Sequence, residues 1–305
     1  MPEMCSNALV LTGRPGVLDD LLVGEIEGLL GSYSVIQTWW LASGEAWEAL
    51  FVAEENANFA ALHARVARAV GRRPIDANII PDEMASRRKK LLVADMDSTM
   101  IGQECIDELA DFVGLKAHVA AITERAMRGE IEFEPALRER VGLLRGLAAT
   151  VVKEVITQRV RLTPGGRALV ATMRANGAYT CLVSGGFTAF THDIAAMLGF
   201  DESRGNTLLI DDAGKLTGTV AEPVLGGEAK LATLVELRER RGLEAAETLA
   251  IGDGANDLAM IEEAGLGVAY HAKPKVAAAA AARIDHGDLT ALLYLQGYRR
   301  DEFRD

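Results

Sequence analysis

Cysteine is sparse in this chain, and the three present, Cys5, Cys105 and Cys181, are too scattered for any C-x-x-C pair. An odd, widely spaced set excludes a disulfide framework and a cysteine-built zinc site, leaving buried or incidental thiols. Basic charge is also short: 32 Lys and Arg stand against 44 Asp and Glu, a net charge of −12. No Lys/Arg-dense face emerges to grip a phosphate backbone, so nucleic acid is not an expected partner. No apolar stretch reaches the ~18 residues of a membrane span. Residues 1–7 lack the basic start and apolar core of a secretory leader, so a cytoplasmic protein with no membrane partner is expected. Internal repeats and low-complexity tracts are missing too. What remains is ordinary globular composition, 49% hydrophobic and 25% charged over 305 residues, enough for one large domain or two.

The most informative stretch is Leu91-Leu92-Val93-Ala94, an apolar run that stops at Asp95-Met96-Asp97-Ser98-Thr99. Four apolar residues between polar ones suit a strand buried on both faces of a parallel sheet, and such sheets place ligand sites beyond the carboxyl ends of their strands. Two more runs end the same way. Residues 179–183 run into Ser184-Gly185-Gly186, and residues 248–251 into Gly252-Asp253-Gly254-Ala255-Asn256-Asp257. Taken singly, each end is also what a turn would have. Taken together, they bring several acids to one crevice, where they would repel unless a cation sat among them; hard oxygen ligands suit Mg²⁺. Ser184 with two glycines before a helix offers a hydroxyl and unhindered N–H groups to a phosphate. Lys230, near the start of its helix, gains nothing from the helix dipole and either reaches solvent or offsets phosphate charge.

Before this region, residues 7–83 read as strand, helix, strand, strand, helix, strand. The second helix is marked by Phe59, Leu62, Val66 and Val70 on one face. Trp39 and Trp40 fit a core or an interface, and the run Arg87-Arg88-Lys89-Lys90 reads as a solvated linker. Helical pattern over about 104–161 exceeds what a crossover needs and points to a small cap over the sheet's active edge. Further on, an alanine-rich helix is expected over 276–282.

Asp95 to Thr99, Ser184, Lys230 and Gly252 to Asp257 stand in the order and form of the four motifs of the haloacid-dehalogenase (HAD) superfamily of phosphatases, which residues 91–290 resemble. Glu104, the pattern Phe133-Glu134-x-x-Leu137-Arg138-x-Arg140-Val141 and Ser184-Gly185-Gly186-Phe187 are similar to the phosphoserine phosphatase family within it. The β-α-β-β-α-β order of the first segment resembles an ACT domain, a ferredoxin-like α+β module that dimerises or binds an amino acid in many enzymes.

These resemblances imply an α/β protein with a Rossmann-like HAD core, a parallel sheet and a helical cap at about 104–161. The core would span 86–305 and the ACT-like unit 1–85. The implied reaction is Mg²⁺-dependent hydrolysis of O-phospho-L-serine, the last step of serine biosynthesis, through an aspartyl-phosphate. Asp95 would be the nucleophile and Asp97 the general acid and base. Asp95, Asp97 through its carbonyl and Asp253 would hold the metal, with Asp257 behind them. Ser184, Gly185, Lys230 and Asn256 would face the phosphate, Glu104 the ammonium and Arg140 the carboxylate, under an apolar lid of Met127 and Phe133. A homodimer is favoured by analogy alone. A phosphatase or phosphotransferase for another small phosphomonoester, and an amino-acid-sensing regulator with a vestigial catalytic half, are the competing readings.

Overall fold

The computed structural model describes residues 4–55, 57–83 and 85–305. The first three residues of the segment read for a leader, and of the unit expected over 1–85, lie outside them, as do positions 56 and 84.

Near the N-terminus, strands β1 (Met4–Gly13), β2 (Ser34–Ala42), β3 (Ala46–Glu54) and β4 (Ile75–Pro81) form an antiparallel sheet of order β2-β3-β1-β4. Helices α1 (Asp20–Leu29) and α2 (Ala60–Val70) cover one face, a ferredoxin-like arrangement. The period-2 alternation of a strand decides what each face meets. Leu9 and Leu11 pack with Ile26, Phe51 and Val66 in a core of this unit's own. Ala8 and Val10, pointing the other way, join the core of the larger body. Trp40 packs against the first cluster and Trp39 against the second.

Part of the junction between the two is polar and buried, which corrects the reading of residues 87–90 as a solvated linker at Arg87, while Arg88 and Lys90 are exposed as that reading has them. Arg87 is buried, paired with Glu48 and with Asp82 (2.5 Å), and its Nε donates to Leu295 O at 2.7 Å. Asp76 accepts N–H groups from Asp285, His286 and Gly287 at 2.8–3.2 Å. A buried guanidinium without these acceptors would cost several kcal/mol, about 3–5 when one partner of such a pair is removed.

The larger body is built on a parallel sheet. Its strands are β5 (Leu91–Ala94), β6 (Tyr179–Phe187), β7 (Glu202–Asn206), β10 (Thr248–Gly252), β11 (Leu266–Tyr270) and β12 (Ala282–Ile284), in the order β12-β11-β10-β5-β6-β7. Every pairing in it is parallel. Strand β5 lies centrally and is buried along its whole length, so its apolar run is explained by contact on both faces. Leu91 and Val93 meet Leu234, Leu237 and Met260 from α9 (Gly227–Arg240) and α10 (Leu258–Glu263). On the other face, Leu92 and Ala94 share a core with residues of α7 (Gly166–Ala175) and α8 (Thr188–Leu198).

After β5 the chain leaves the sheet for α3 (Cys105–Asp111), α4 (Lys116–Met127), α5 (Phe133–Gly142) and α6 (Val151–Gln158). A small hairpin, β8 (Leu208–Ile210) and β9 (Leu216–Val220), braces these helices, with Gly146 N–H donating to Leu216 O at 2.8 Å.

The remaining helices are α11 (Pro274–Ala279) and α12 (Ala291–Leu295). The alanine-rich helix expected over 276–282 stops early: Ala282–Ile284 is strand β12, with Ala282 opposite Val268. Alanine's helix propensity is worth only tenths of a kcal/mol per residue, about 0–0.7 against ordinary residues. Burying Ile284 in the sheet outweighs it.

Candidate active site

Strand β5 delivers Asp95 and Asp97. The ladder ends at Ala94, but both aspartates keep extended backbone (ψ 160° and 136°), while Ser98 turns to φ +56°. A wide turn follows, closed by Ile101 N–H on Met96 O at 3.0 Å, a local irregularity typical of functional sites. Asp95 N–H donates to Ile251 O at 3.0 Å, which fixes this turn against the neighbouring strand β10.

Beneath the site, Lys230 is fully buried and its Nζ donates to Asp95 Oδ1 at 2.5 Å and Asp257 Oδ1 at 2.6 Å. The solvent alternative for this lysine is therefore excluded. Burial alone would lower its pKa, but Asp257 and Asp95 hold it above the usual value, so it stays a cation. Gly252 is required here, because a Cβ at that position would overlap the Asp257 carboxylate. Asp257 Oδ2 also accepts the Gly254 N–H at 3.1 Å.

Carboxylate oxygens of Asp95, Asp253 and Asp257 lie within 4.8 Å of one another. Burial, then repulsion from Asp257, pushes Asp95 up to about 7 against the pull of Lys230. Burial and Asp95 raise Asp253 as well. Asp95 and Asp253, buried hard oxygen donors that both resist ionisation, fit a divalent cation, which would supply the missing countercharge. The carboxylate of Asp97 stands outside this triad. Its Oδ1 accepts the Cys105 N–H at 3.3 Å, and its Oδ2 borders the Ser184–Gly186 loop, 2.8 Å from where a Cβ on Gly186 would sit. Burial raises Asp97 to about 7, opposed by the Cys105 thiol and reinforced by Asp95. The two similar carboxylates thus face different partners.

Above these groups lies a small cavity of about 20 Å³, roughly the room for one water. Asp95, Asp97, Glu104, Met127, Phe133, Arg140, Ser184, Gly185 and Asn256, all expected from sequence, line it. Lys230, Asp253 and Asp257 lie behind this wall. The cap supplies one side and the sheet ends the other. Phe133 closes against the Ser184–Gly186 loop so tightly that a Cβ on Gly185 would come within 2.5 Å of its Cζ. Asn256 contributes a buried Oδ1 with no hydrogen-bond partner.

The cap side of the cavity carries a buried guanidinium, Arg140, and a half-buried carboxyl group, Glu104. Arg140 donates Nε to Ala136 O at 3.0 Å and one terminal nitrogen to Thr123 Oγ1 at 2.9 Å. Glu104 accepts from Ser98 Oγ at 2.6 Å. Burial and the nearby Asp97 push Glu104 up to about 8, while burial lowers Arg140. Among the described residues neither forms an ion pair. Sequence reasoning missed the groups that aim them: Ser98 behind Glu104, and Thr123, which also donates to Asp107 at 2.7 Å, behind Arg140. Ser98 lies inside a motif and was in reach. Thr123 stands 17 residues from Arg140 on another helix, with no local pattern to mark it.

The model of the family described as haloacid dehalogenase-like hydrolase matches residues 92–262. A probable phosphoserine phosphatase of Schizosaccharomyces pombe is 39% identical over 296 residues, 96% of this chain and 95% of that protein. A phosphoserine phosphatase of Polaromonas sp. is 46% identical over 223 residues, 72% of this chain and 94% of that protein. Among solved structures, a probable phosphoserine phosphatase from Vibrio cholerae in unliganded form superposes with a TM-score of 0.74 at 33% identity, over 97% of this chain and 88% of that one. A substrate-bound phosphoserine phosphatase complex superposes with a TM-score of 0.65 at 38% identity, over 68% of this chain and 97% of that one.

Proposed function

Because this chain belongs to the haloacid dehalogenase-like hydrolases, and within them to the phosphoserine phosphatases, we propose that its cavity takes O-phospho-L-serine and releases L-serine and phosphate. Asp95 attacks phosphorus in line, forming an Oδ–P bond as the bond from phosphorus to the serine oxygen breaks. Asp97 gives its proton to the departing serine oxygen. It then takes a proton from the water that attacks the aspartyl-phosphate, and Asp95 and phosphate are released. A pKa raised to about 7 suits a group that must both give and take a proton near neutrality.

Ser184, the Gly185 N–H and Lys230 face the charge that develops on the transferring group. Mg²⁺, held by Asp95, Asp253 and the carbonyl of Asp97, would supply countercharge for the phosphoryl oxygens. Asp257 keeps Lys230 in place, and Asn256 offers its unpartnered oxygen toward the substrate side.

The observation that carries the substrate assignment is the pairing of a buried Arg140 with a half-buried Glu104, neither in an ion pair among the described residues. A buried guanidinium with unused donors and a half-buried carboxylate are each costly until a partner arrives. A ligand with both a carboxylate for Arg140 and an ammonium for Glu104 satisfies both, and phosphoserine has both beside its phosphate. Met127 and Phe133 shut water out over it.

Arg140→Ala tests this. Losing charge-assisted hydrogen bonds worth about 1.5–3 kcal/mol should raise KM for phosphoserine roughly 10- to 150-fold. KM for phosphoethanolamine, which lacks the carboxylate, should change little. An equal loss on both esters would remove Arg140 from substrate recognition and the amino-acid assignment with it.

A further inference from the structure

Gly185 and Gly186 carry no side chains, so the peptide between them can rotate at little steric cost. In the structure that peptide is held from both sides. Its N–H, on Gly186, donates to Ser184 Oγ at 2.8 Å, and its carbonyl, on Gly185, accepts from Asn206 Nδ2 at 2.8 Å. The N–H and C=O of a trans peptide point in opposite directions, so holding one aims the other. Asn206, at the end of β7, is itself buried and anchored. Its Nδ2 also donates to Leu225 O at 3.0 Å, and its Oδ1 accepts the Leu225 N–H at 2.7 Å. Leu225 directly precedes Gly226, whose carbonyl accepts the Lys230 N–H at 3.1 Å. One amide therefore ties the loop bearing Ser184 to the start of the helix bearing Lys230.

We propose that Asn206 is a positioning residue for phosphoryl transfer, locking the Gly185–Gly186 peptide so that the Gly185 carbonyl oxygen faces away from the phosphate and Ser184 faces it as a donor. Ser184 Oγ, already accepting from Gly186, has its own proton left to give outward. Turned over, the same peptide would present a carbonyl oxygen to a phosphate dianion and withdraw the N–H from Ser184. The glycines that let the phosphate approach closely are what make such a lock necessary. Phe133 of the cap closes between the two tied segments, so their spacing also sets the slot it enters: a Cβ on Gly226 would lie 3.2 Å from its Cδ1.

The inference rests on the loop at 184–186 holding phosphate, as proposed above, and not on which phosphomonoester is cleaved. The test compares Asn206→Ala and Asn206→Asp with the unaltered 305-residue chain, measuring kcat, KM, and inhibition by inorganic phosphate and by L-serine. Asp keeps the shape and the acceptor for Leu225 but loses both donors, so it reads the lock even where Ala fails to fold. A misplaced catalytic loop should lower kcat/KM on the order of tenfold to a hundredfold. The inhibition constant for phosphate should rise by a similar factor, with inhibition by L-serine, which meets Glu104 and Arg140, unchanged. Unchanged phosphate inhibition in Asn206→Asp, or equal weakening of phosphate and L-serine, overturns the proposal. Failure of the phosphoserine assignment would show separately, as an unaltered protein that does not turn phosphoserine over; phosphate inhibition would then be read with the ester it does cleave.

Discussion

Asp95→Asn should abolish Mg²⁺-dependent phosphate release, lowering kcat by at least about 10⁴-fold, the scale seen when a covalent nucleophile is removed. Asp257, the neighbouring carboxylate on Lys230, is held by that lysine and by the Gly254 N–H and does not replace Asp95. The phosphoenzyme formed in a rapid quench with labelled phosphoserine should vanish with the activity. The variant should still fold, because Lys230 keeps Asp257 as a partner at 2.6 Å.

A stability signature should accompany it. The native-state pKa of Asp95 is raised from 3.8 to about 7 by burial and Asp257, so between those values the metal-free native state holds a proton that the unfolded chain releases. Stability of the metal-free protein therefore falls as pH rises through that window, and Asp95→Asn should flatten the fall. Thermal midpoints at the two ends of the window in chelator would show it. Retained phosphate release in Asp95→Asn would rescue the reading of this chain as a regulator with a vestigial site.

Asp97→Asn should cost roughly 10²–10⁴ in kcat for phosphoserine, since general acid–base help is lost in both half-reactions. Its effect depends on the leaving group. The serine oxygen departs as a poor anion and needs the proton, whereas the acetate of acetyl phosphate does not. With acetyl phosphate the variant should form the aspartyl-phosphate at near-normal speed and then stall, because no base activates the water. Stopped-time assays should show a burst of about one acetate per enzyme followed by slow turnover. Loss of the burst along with steady turnover would mean that Asp97 supports the fold or the metal and not proton transfer.

The parts of this site that were legible in the sequence were those written as local contrasts. Leu91 to Ala94 suited a doubly buried strand, and the carboxylates at its end pointed to a crevice once the other strand ends stood beside them. The same logic read Ser184 and Asp253. Lys230 was ambiguous alone and became clear only beside Asp95 and Asp257, which lie 135 and 27 residues away. Arg87 was misread because its partner Glu48 sits 39 residues upstream on strand β3, so a basic residue within a charged run looked solvated. Strands β7 and β12 and the short helix α12 carry too little periodic pattern to be seen. Asn206 had no motif at all, since its meaning lies in two backbone segments that the fold brings to either side of it. Short-range pattern thus reveals which groups do chemistry, while what aims them is fixed by tertiary contact.

Steady-state kcat/KM of the 305-residue protein with Mg²⁺ on phosphoserine, phosphothreonine and phosphoethanolamine tests the central claim most directly. Buried charges built for a ligand's polar groups reject analogues that leave them unpaired, so phosphoserine should lead phosphoethanolamine by at least about a hundredfold. The extra methyl of phosphothreonine, entering a small cavity, should cost roughly tenfold or more. Equal efficiency on all three would contradict the account and point to a phosphatase of broader range.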